Sequence, residues 1–187
     1  VDQRSGVSQR LPITVLEGVV SNAERRAFRL DEQEAIPRIG DIYAALPMIT
    51  GKIELEYDGE LEGVEKIARE LIRAAAERTF QDRAGGADVE EIVEYFEQGG
   101  ALQVGEDAAA SACVQGFAIV PGLLQLVESV GLAPNKASPG LRAAACELAL
   151  EALVSEKRIS RSDRGGYGRA RHEGPPGTGF KFDPFGS

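Results

Sequence analysis

Histidine, tryptophan and cysteine are scarce in this sequence, which has one histidine, no tryptophan and two cysteines among 187 residues. His172 stands in a Gly/Pro-rich C-terminal stretch, where a catalytic base has no fixed surroundings. With a single histidine and no spaced set of ligands, neither a Ser-His-Asp triad nor a zinc site can be assembled. Cys113 and Cys146 form no CxxC pair, so we expect two buried, reduced thiols.

Targeting, membrane and nucleotide signals are also missing. No apolar run is long enough to cross a bilayer and no signal peptide is present, which predicts a cytoplasmic protein without a membrane partner. A net charge of -9 makes nucleic acid an unlikely partner for the chain as a whole. There is no GxxxxGK[ST] phosphate loop and no apolar strand ending in paired carboxylates for Mg²⁺. Alone, the chain is therefore expected to be inactive as an ATPase.

The residues that are abundant favour a mainly α fold. Ala, Glu and Leu are common, and aromatic residues make up 6% of the chain. Apolar spacings of three and four predict helices over about 12–30, 37–46, 61–81, 88–98, 107–118, 121–131 and 141–158. The first helix is expected to bury Ile13, Leu16, Val20, Ala23, Ala27 and Leu30. The long helix is expected to bury Val64, Ile67, Ala68, Leu71, Ile72 and Ala75.

Two short segments read as strands, and the C-terminus reads as disordered. Residues 52–57 alternate between polar and apolar side chains before Asp58-Gly59, the pattern of a half-buried strand. Residues 101–104 are a short extended piece that would pair with it. From Gly165 to Ser187, seven glycines and three prolines fill 23 positions, which predicts a tail without a packed core.

Four stretches near the amino end carry a family resemblance. They are Arg-Ser-Gly-Val-Ser-Gln-Arg-Leu at 4–11, Asn-Ala-Glu-Arg-Arg-Ala at 22–27, Ile-Pro-Arg-Ile-Gly-Asp-Ile at 36–42 and the segment 46–57. Together they resemble the sensor-two lid of AAA+ ATPases of the magnesium-chelatase/MoxR type. The likeness is most specific over 4–57 and extends to about residue 160, where Arg-Ile-Ser-Arg at 158–161 also fits the subgroup.

The resemblance implies an organisation in three parts. Residues 1–51 are the AAA+ lid, a helical bundle, and residues 52–160 are a second helical module with a short strand pair. Residues 161–187 are the disordered Gly/Pro-rich tail. The chain begins on Val1 inside what reads as a motif, so we expect a fragment of a longer protein whose phosphate loop lies upstream.

The resemblance also assigns a function and two binding residues. Arg10 is the sensor-two arginine that contacts ATP phosphate, and Arg4 is a weaker candidate for the same site. A guanidinium forks onto phosphate oxygens, although an exposed, solvated Arg10 is the plainer reading. The implied cofactors of the full-length parent are ATP and Mg²⁺. The implied partners are its own N-terminal AAA+ core, neighbouring subunits of a hexamer-like ring and a von Willebrand factor A domain protein. The implied function of the parent is to couple ATP hydrolysis in the ring to remodelling of a partner or to metal insertion.

A non-enzymatic helical adaptor is the alternative. Six basic residues between Lys157 and Arg171, with Gly-Gly-Tyr-Gly at 165–168, resemble an RGG-like segment in which Tyr167 stacks on RNA bases. The same stretch also reads as a solvated linker. Phe180, Phe182 and Phe185 would suit docking on a partner protein. Two acidic groups, one at 31–34 and one along the helix near 90–97, are expected to be solvated rather than to bind metal.

Overall fold

The computed structural model describes residues 6–7, 10–51, 53–54, 61–105, 107–162 and 165–170. Their fold is mainly α, with short antiparallel strands, as the composition predicts. The helices in chain order are α1 (Leu11–Arg29), α2 (Ile39–Tyr43), α3 (Leu46–Thr50), α4 (Leu61–Ala84), α5 (Glu90–Glu97), α6 (Ala110–Phe117), α7 (Leu123–Ser129) and α8 (Pro139–Ser155).

Helix ends follow local signals in the sequence. Pro12 lies in the first turn of α1, and Ser138 caps α8 by accepting a hydrogen bond from the Leu141 N–H at 3.4 Å. α4 ends at Ala84, directly before the Gly85-Gly86 pair. The helix expected to stop near Pro47 instead gives way to a second short helix, α3, because proline is tolerated in a first turn.

The strands pair differently from the expectation. β1 (Gly6–Val7) pairs with β2 (Ile53–Glu54), and β3 (Leu102–Gln103) pairs with β5 (Gly166–Arg169), which also pairs with β4 (Ile159–Arg161). All pairs are antiparallel. The expected pairing of 101–104 with 52–57 is therefore wrong, because partner choice between short strands depends on the packing around them and not on local pattern.

The expected disordered tail is wrong in its first part. Residues 159–161 and 166–169 form two neighbouring strands, and the Tyr167 ring is 3% exposed. One buried aromatic side chain and the ladder bonds offset the ordering cost of the surrounding glycines. Residues 171–187, which hold His172 and the three phenylalanines at 180, 182 and 185, lie outside the described residues, as do residues 52 and 55–57 of the expected strand.

The main core lies between α5, α6, α7 and α8. α8 packs against α4 along one side and against α6 and α7 along the other. Small side chains on α8, including Ala143, Ala149 and Ala152, are fully buried and let the neighbouring helices approach closely. Cys113 and Cys146 are buried and reduced, as expected. The largest fully buried apolar side chains are Phe96, Phe117, Ile92, Leu123, Leu150 and Leu153.

The buried faces of α1 and α4 are only partly the expected ones. The buried side chains that were expected are Ala23 and Ala27 of α1 and Val64, Ala68 and Ile72 of α4, but the other expected residues are not buried. Ile13 and Leu16 are 62% and 64% exposed, and Val20 is also exposed, while Val19 and Arg26 face inward. On α4 the buried side chains recur every four residues, and Ile67, Leu71 and Ala75 are exposed. Leu141 of α8 is exposed as well. Two apolar stripes side by side have the same period, so spacing alone cannot choose between them. The buried stripe of α4 is Val64, Ala68, Ile72, Ala76, Phe80 and Ala84.

Among the described residues, no helix combines the length and the apolar character that a bilayer span requires.

Candidate functional site

Arg10 is the N-terminal cap residue of α1, and it is exposed. Its carbonyl accepts the Thr14 N–H at 3.1 Å, so its backbone already belongs to the helix. The amino end of a helix disfavours a cation and attracts an anion. The helix end and the exposed Arg10 side chain would therefore both attract an anion such as phosphate. Arg4 lies outside the described residues.

Apolar surface surrounds the first turn of α1. Leu11, Pro12 and Val15 line an apolar cleft of about 450 Å³ that continues onto α2, α3 and α4. Further along α1, Ile13 and Leu16 form part of an exposed apolar face. Exposed apolar side chains and an apolar cleft on one helix are typical of a contact with another protein segment.

Arg26, at the other end of α1, connects α1 to the loop after it and to α2. It is 4% exposed and donates to both carboxylate oxygens of Asp41 in α2, at 3.1 to 3.4 Å. It also donates to Glu32 at 2.5 Å and to the Ile36 carbonyl at 2.7 Å. Asn22 adds a hydrogen bond to the Asp41 carbonyl. One buried guanidinium thus joins α1, the loop after it and α2.

The acidic turn at 31–34 is structural. Glu32 pairs with Arg26, and its other carboxylate oxygen accepts the Ala110 N–H at the start of α6, at 2.7 Å. Within the described part of the chain, no three Asp, Glu, His or Cys side chains are grouped as metal ligands would be. The acidic side chains of α5 are exposed, as expected. Glu32 therefore connects α1 to the second helical module.

A second buried ionic contact joins the start of α2 to α8. Arg38 lies 3.6 Å from Glu147, with both side chains almost fully buried. Arg38 also donates to the Ala108 carbonyl at 3.1 Å and to the Cys113 sulfur at 3.0 Å. Burial raises the pKa of Glu147, and the positive charge of Arg38 opposes that rise. Burial likewise raises the pKa of the Cys113 thiol, which keeps it protonated and unreactive.

The third contact is centred on Glu151, a carboxylate in α8 that is 0% exposed. It accepts a hydrogen bond from the Tyr43 hydroxyl at 2.5 Å and another from Arg161 at 2.9 Å. The Tyr167 hydroxyl lies at 3.5 Å, and Arg73 lies at 3.8 Å. Buried charges are tolerated when they are paired and hydrogen-bonded in this way. Glu151 thereby joins α2, α4 and α8 to the small three-stranded sheet of β3, β5 and β4.

Ionisation of the buried Tyr43 hydroxyl is expected to lower the stability of the fold at high pH. Burial, and then the nearby Glu151 charge, raise the pKa of Tyr43 from 10.0 to about 12. A raised pKa favours folding fully below pH 10, and this contribution is lost as pH rises through about 12. We expect the free energy of unfolding in urea to fall over this window by roughly 2 kcal/mol more than in the Tyr43→Phe variant. Equal declines in the two proteins would show that the phenol does not carry this effect.

The buried network also removes Tyr167 from the expected RNA surface. Its ring packs inside the small sheet, and its hydroxyl points to Glu151, so it cannot stack on bases. Two of the six basic residues counted there are engaged internally, because Arg158 pairs with Glu90 and Arg161 pairs with Glu151. The expected stacking of Tyr167 on RNA bases is therefore wrong, because composition does not report burial, while RNA binding by the other basic residues stays a prediction.

Sequence reasoning singled out Arg10 and missed the buried ionic residues. Arg26 and Asp41 both fall inside the family-like stretches 22–27 and 36–42. Asp41 was expected only to open a helix, where it accepts the Arg38 N–H at 2.9 Å, and no role was expected for Arg26. A charged residue on an otherwise apolar helix face was the available signal, since Arg26 lies among Val19, Ala23 and Ala27.

Comparison with known proteins finds no matching family model, no matching curated protein and no matching solved structure.

Proposed function

We propose that this chain is the sensor-two lid and C-terminal helical region of an AAA+ ATPase of the magnesium-chelatase/MoxR type, acting in the cytoplasm. The motifs at 4–57 and the mainly helical fold support the proposal. The observation that carries it is Arg10, an exposed guanidinium at the amino end of α1. The amino end of a helix disfavours a cation, and a bound phosphate would compensate for the helix dipole and the arginine charge together.

In this role Arg10 reports the state of the nucleotide to the rest of the chain. It donates to the γ-phosphate of ATP held by an AAA+ core upstream or by a neighbouring subunit in a ring. When that phosphate leaves, Arg10 loses its partner and α1 is released to rotate. The exposed side chains Ile13 and Leu16 would then belong to the surface that α1 presents to the core.

The buried ionic contacts supply the coupling. Arg26 with Glu32, Arg38 with Glu147, and Tyr43 with Glu151 each link the α1–α2 region to α6 or α8. Breaking such contacts leaves buried charge unpaired, so they favour motion of α1 together with α8 as one body. Rotation of the lid is thereby carried to the second module, which contacts the client or a von Willebrand factor A domain partner.

Arg10 fits a phosphate but does not fit a metal site. Its donors suit the oxygens of ATP, while the described residues offer no cluster of metal ligands. Mg²⁺ therefore belongs with the upstream core in this proposal. ATP supplies the free energy of the cycle, and this chain contributes a sensor and a mechanical connection.

The test is ATP turnover by the longer protein that contains this chain, with Arg10 replaced by Ala. Loss of one charge-assisted hydrogen bond in the transition state predicts a fall in kcat of about 10- to 100-fold. Arg25→Ala is the matched control, since Arg25 is also exposed on α1 and lies far along the helix from Arg10. Turnover that is unchanged in Arg10→Ala, or equally reduced in Arg25→Ala, contradicts the assignment.

A further inference from the structure

A second basic surface of the chain lies apart from Arg10. A cleft of about 450 Å³ opens between α3, α4 and β4, and three arginines line it: Arg69 and Arg73 from α4 and Arg161 from β4. Tyr43, Thr50 and Ser162 complete its polar wall. We call it the arginine cleft. Its volume is within the range of small-molecule sites.

Positive charge exceeds negative charge in this cleft. Three guanidinium groups face two carboxylates, Glu65 on its wall and Glu151 beneath it. Glu65 pairs with Arg69 at 2.7 Å, and Glu151 pairs with Arg161 at 2.9 Å. Counted over the described residues that line or underlie the cleft, one positive charge is left over, in a chain whose net charge is -9. An acidic protein that gathers cations in one concave place creates a local field that attracts anions.

The arginines still have donors to offer. The Arg73 Nε is buried without a hydrogen bond, 3.8 Å from Glu151, and the Arg73 side chain as a whole is one-third exposed. Among the described residues, Arg161 donates one hydrogen bond to Glu151 out of the five that a guanidinium can make. Arg69 and Arg73, each about one-third exposed, therefore present donors to the cleft, and the more deeply buried Arg161 adds its positive charge to the wall.

Arg161 is held in place before any ligand arrives. Its guanidinium lies 4.2 Å from the centre of the Tyr43 ring and 5.6 Å from that of Tyr167. Burial lowers the pKa of Arg161, but Tyr167, Glu151 and Tyr43 outweigh this and raise it, so the group stays charged. A planar cation fixed between two rings loses little freedom on binding, which favours affinity.

We propose that the arginine cleft binds a small phosphorylated molecule through Arg69, Arg73 and Arg161. A phosphate group offers three oxygens and close to two negative charges at neutral pH, which suits three converging forks better than a single carboxylate does. The overall charge of -9 disfavours a nucleic acid in the same position. This inference does not depend on the AAA+ proposal, since Arg10 does not line the cleft.

The test is calorimetric titration of the 187-residue chain with inorganic pyrophosphate at constant ionic strength. We expect a Kd below about 1 mM for the chain. Arg73→Gln is expected to weaken binding at least about tenfold, because it removes a charged fork at the centre of the cleft. Arg78→Gln is the matched control. Arg78 lies on the same helix, is 80% exposed and pairs with Asp82, so its loss is expected to leave Kd within about twofold.

Two further measurements keep the outcome decisive. If Arg73→Gln changes the circular dichroism spectrum or thermal midpoint, Arg69→Gln replaces it, since Arg69 is partly exposed and pairs with an exposed Glu65. Malonate, titrated in the same way, is expected to bind at least about tenfold more weakly than pyrophosphate. The proposal is overturned by the absence of pyrophosphate binding at millimolar concentration, by equal losses in the Arg73 and Arg78 variants, or by malonate binding as tightly as pyrophosphate.

Discussion

Replacing Arg161 by leucine is expected to lower the free energy of unfolding by about 3 kcal/mol or more. Arg161 is the nearest cation to Glu151, which is fully buried, and leucine would leave that carboxylate with only the more distant Arg73. A buried charge without its partner is among the most destabilising changes a fold can suffer. Urea unfolding followed by circular dichroism measures the effect.

Arg158→Leu provides the comparison for Arg161→Leu. Arg158 lies three residues earlier and pairs with Glu90, a carboxylate that is 77% exposed and stays solvated without a partner, so the loss of Arg158 is expected to cost under about 1 kcal/mol. Combining Arg161→Leu with Glu151→Gln removes both charges and keeps an oxygen to accept the Tyr43 hydroxyl. We expect the double variant to recover part of the stability. Similar losses in Arg158→Leu and Arg161→Leu would mean that Glu151 does not need its buried partner.

Arg26→Leu is expected to have an effect of the same size, about 3–5 kcal/mol. Arg26 neutralises two carboxylates, Asp41 at 6% exposure and Glu32 at 13%, and it also satisfies the Ile36 carbonyl. Leucine keeps the apolar volume and removes every one of these contacts. Because Glu32 also binds the Ala110 N–H, the start of α6 is expected to lose protection in hydrogen exchange.

Arg29→Leu is the control on the same helix turn. Arg29 forms an ion pair with Asp107 in which both side chains are more than half exposed, so little stability is at stake. Loss of exchange protection confined to α1 and α2 in Arg26→Leu, with α6 unchanged, would contradict the connection through Glu32. The same result would weaken the idea that α1 and the second module move as one body.

Local periodicity predicted most of the helices, but the pairing of the strands depends on packing between distant segments and could not be predicted from it. The expected helices at 61–81 and 141–158 correspond to α4 and α8, because spacings of three and four are a property of the segment itself. The partner of residues 102–103 lies more than sixty residues along the chain, at 166–167, and no pattern in either strand specifies it. The strand at Tyr167 was missed because the high glycine content of the segment predicted disorder, whereas a single buried side chain is enough to order it.

The candidate site residues also fall into those indicated by local sequence and those that only the fold brings together. Arg10 was singled out because a short motif and a helix start coincide there, and its role as a phosphate ligand stays a prediction. Glu151 and Arg161 were not found, because a charged residue in a helical or terminal segment is usually solvated. Tyr43 and Glu151 are 108 residues apart, so their contact exists only once the chain has folded. The three arginines of the cleft likewise come from two segments that only the fold brings together.

The most direct test of the central claim is a structure of the longer, assembled protein with a slowly hydrolysed ATP analogue bound. The account predicts that the Arg10 guanidinium lies about 2.7–3.1 Å from a γ-phosphate oxygen of its own or a neighbouring subunit. It also predicts that the Arg26, Arg38 and Tyr43 contacts remain intact. A nucleotide-filled ring in which Arg10 faces solvent in every subunit would contradict the account.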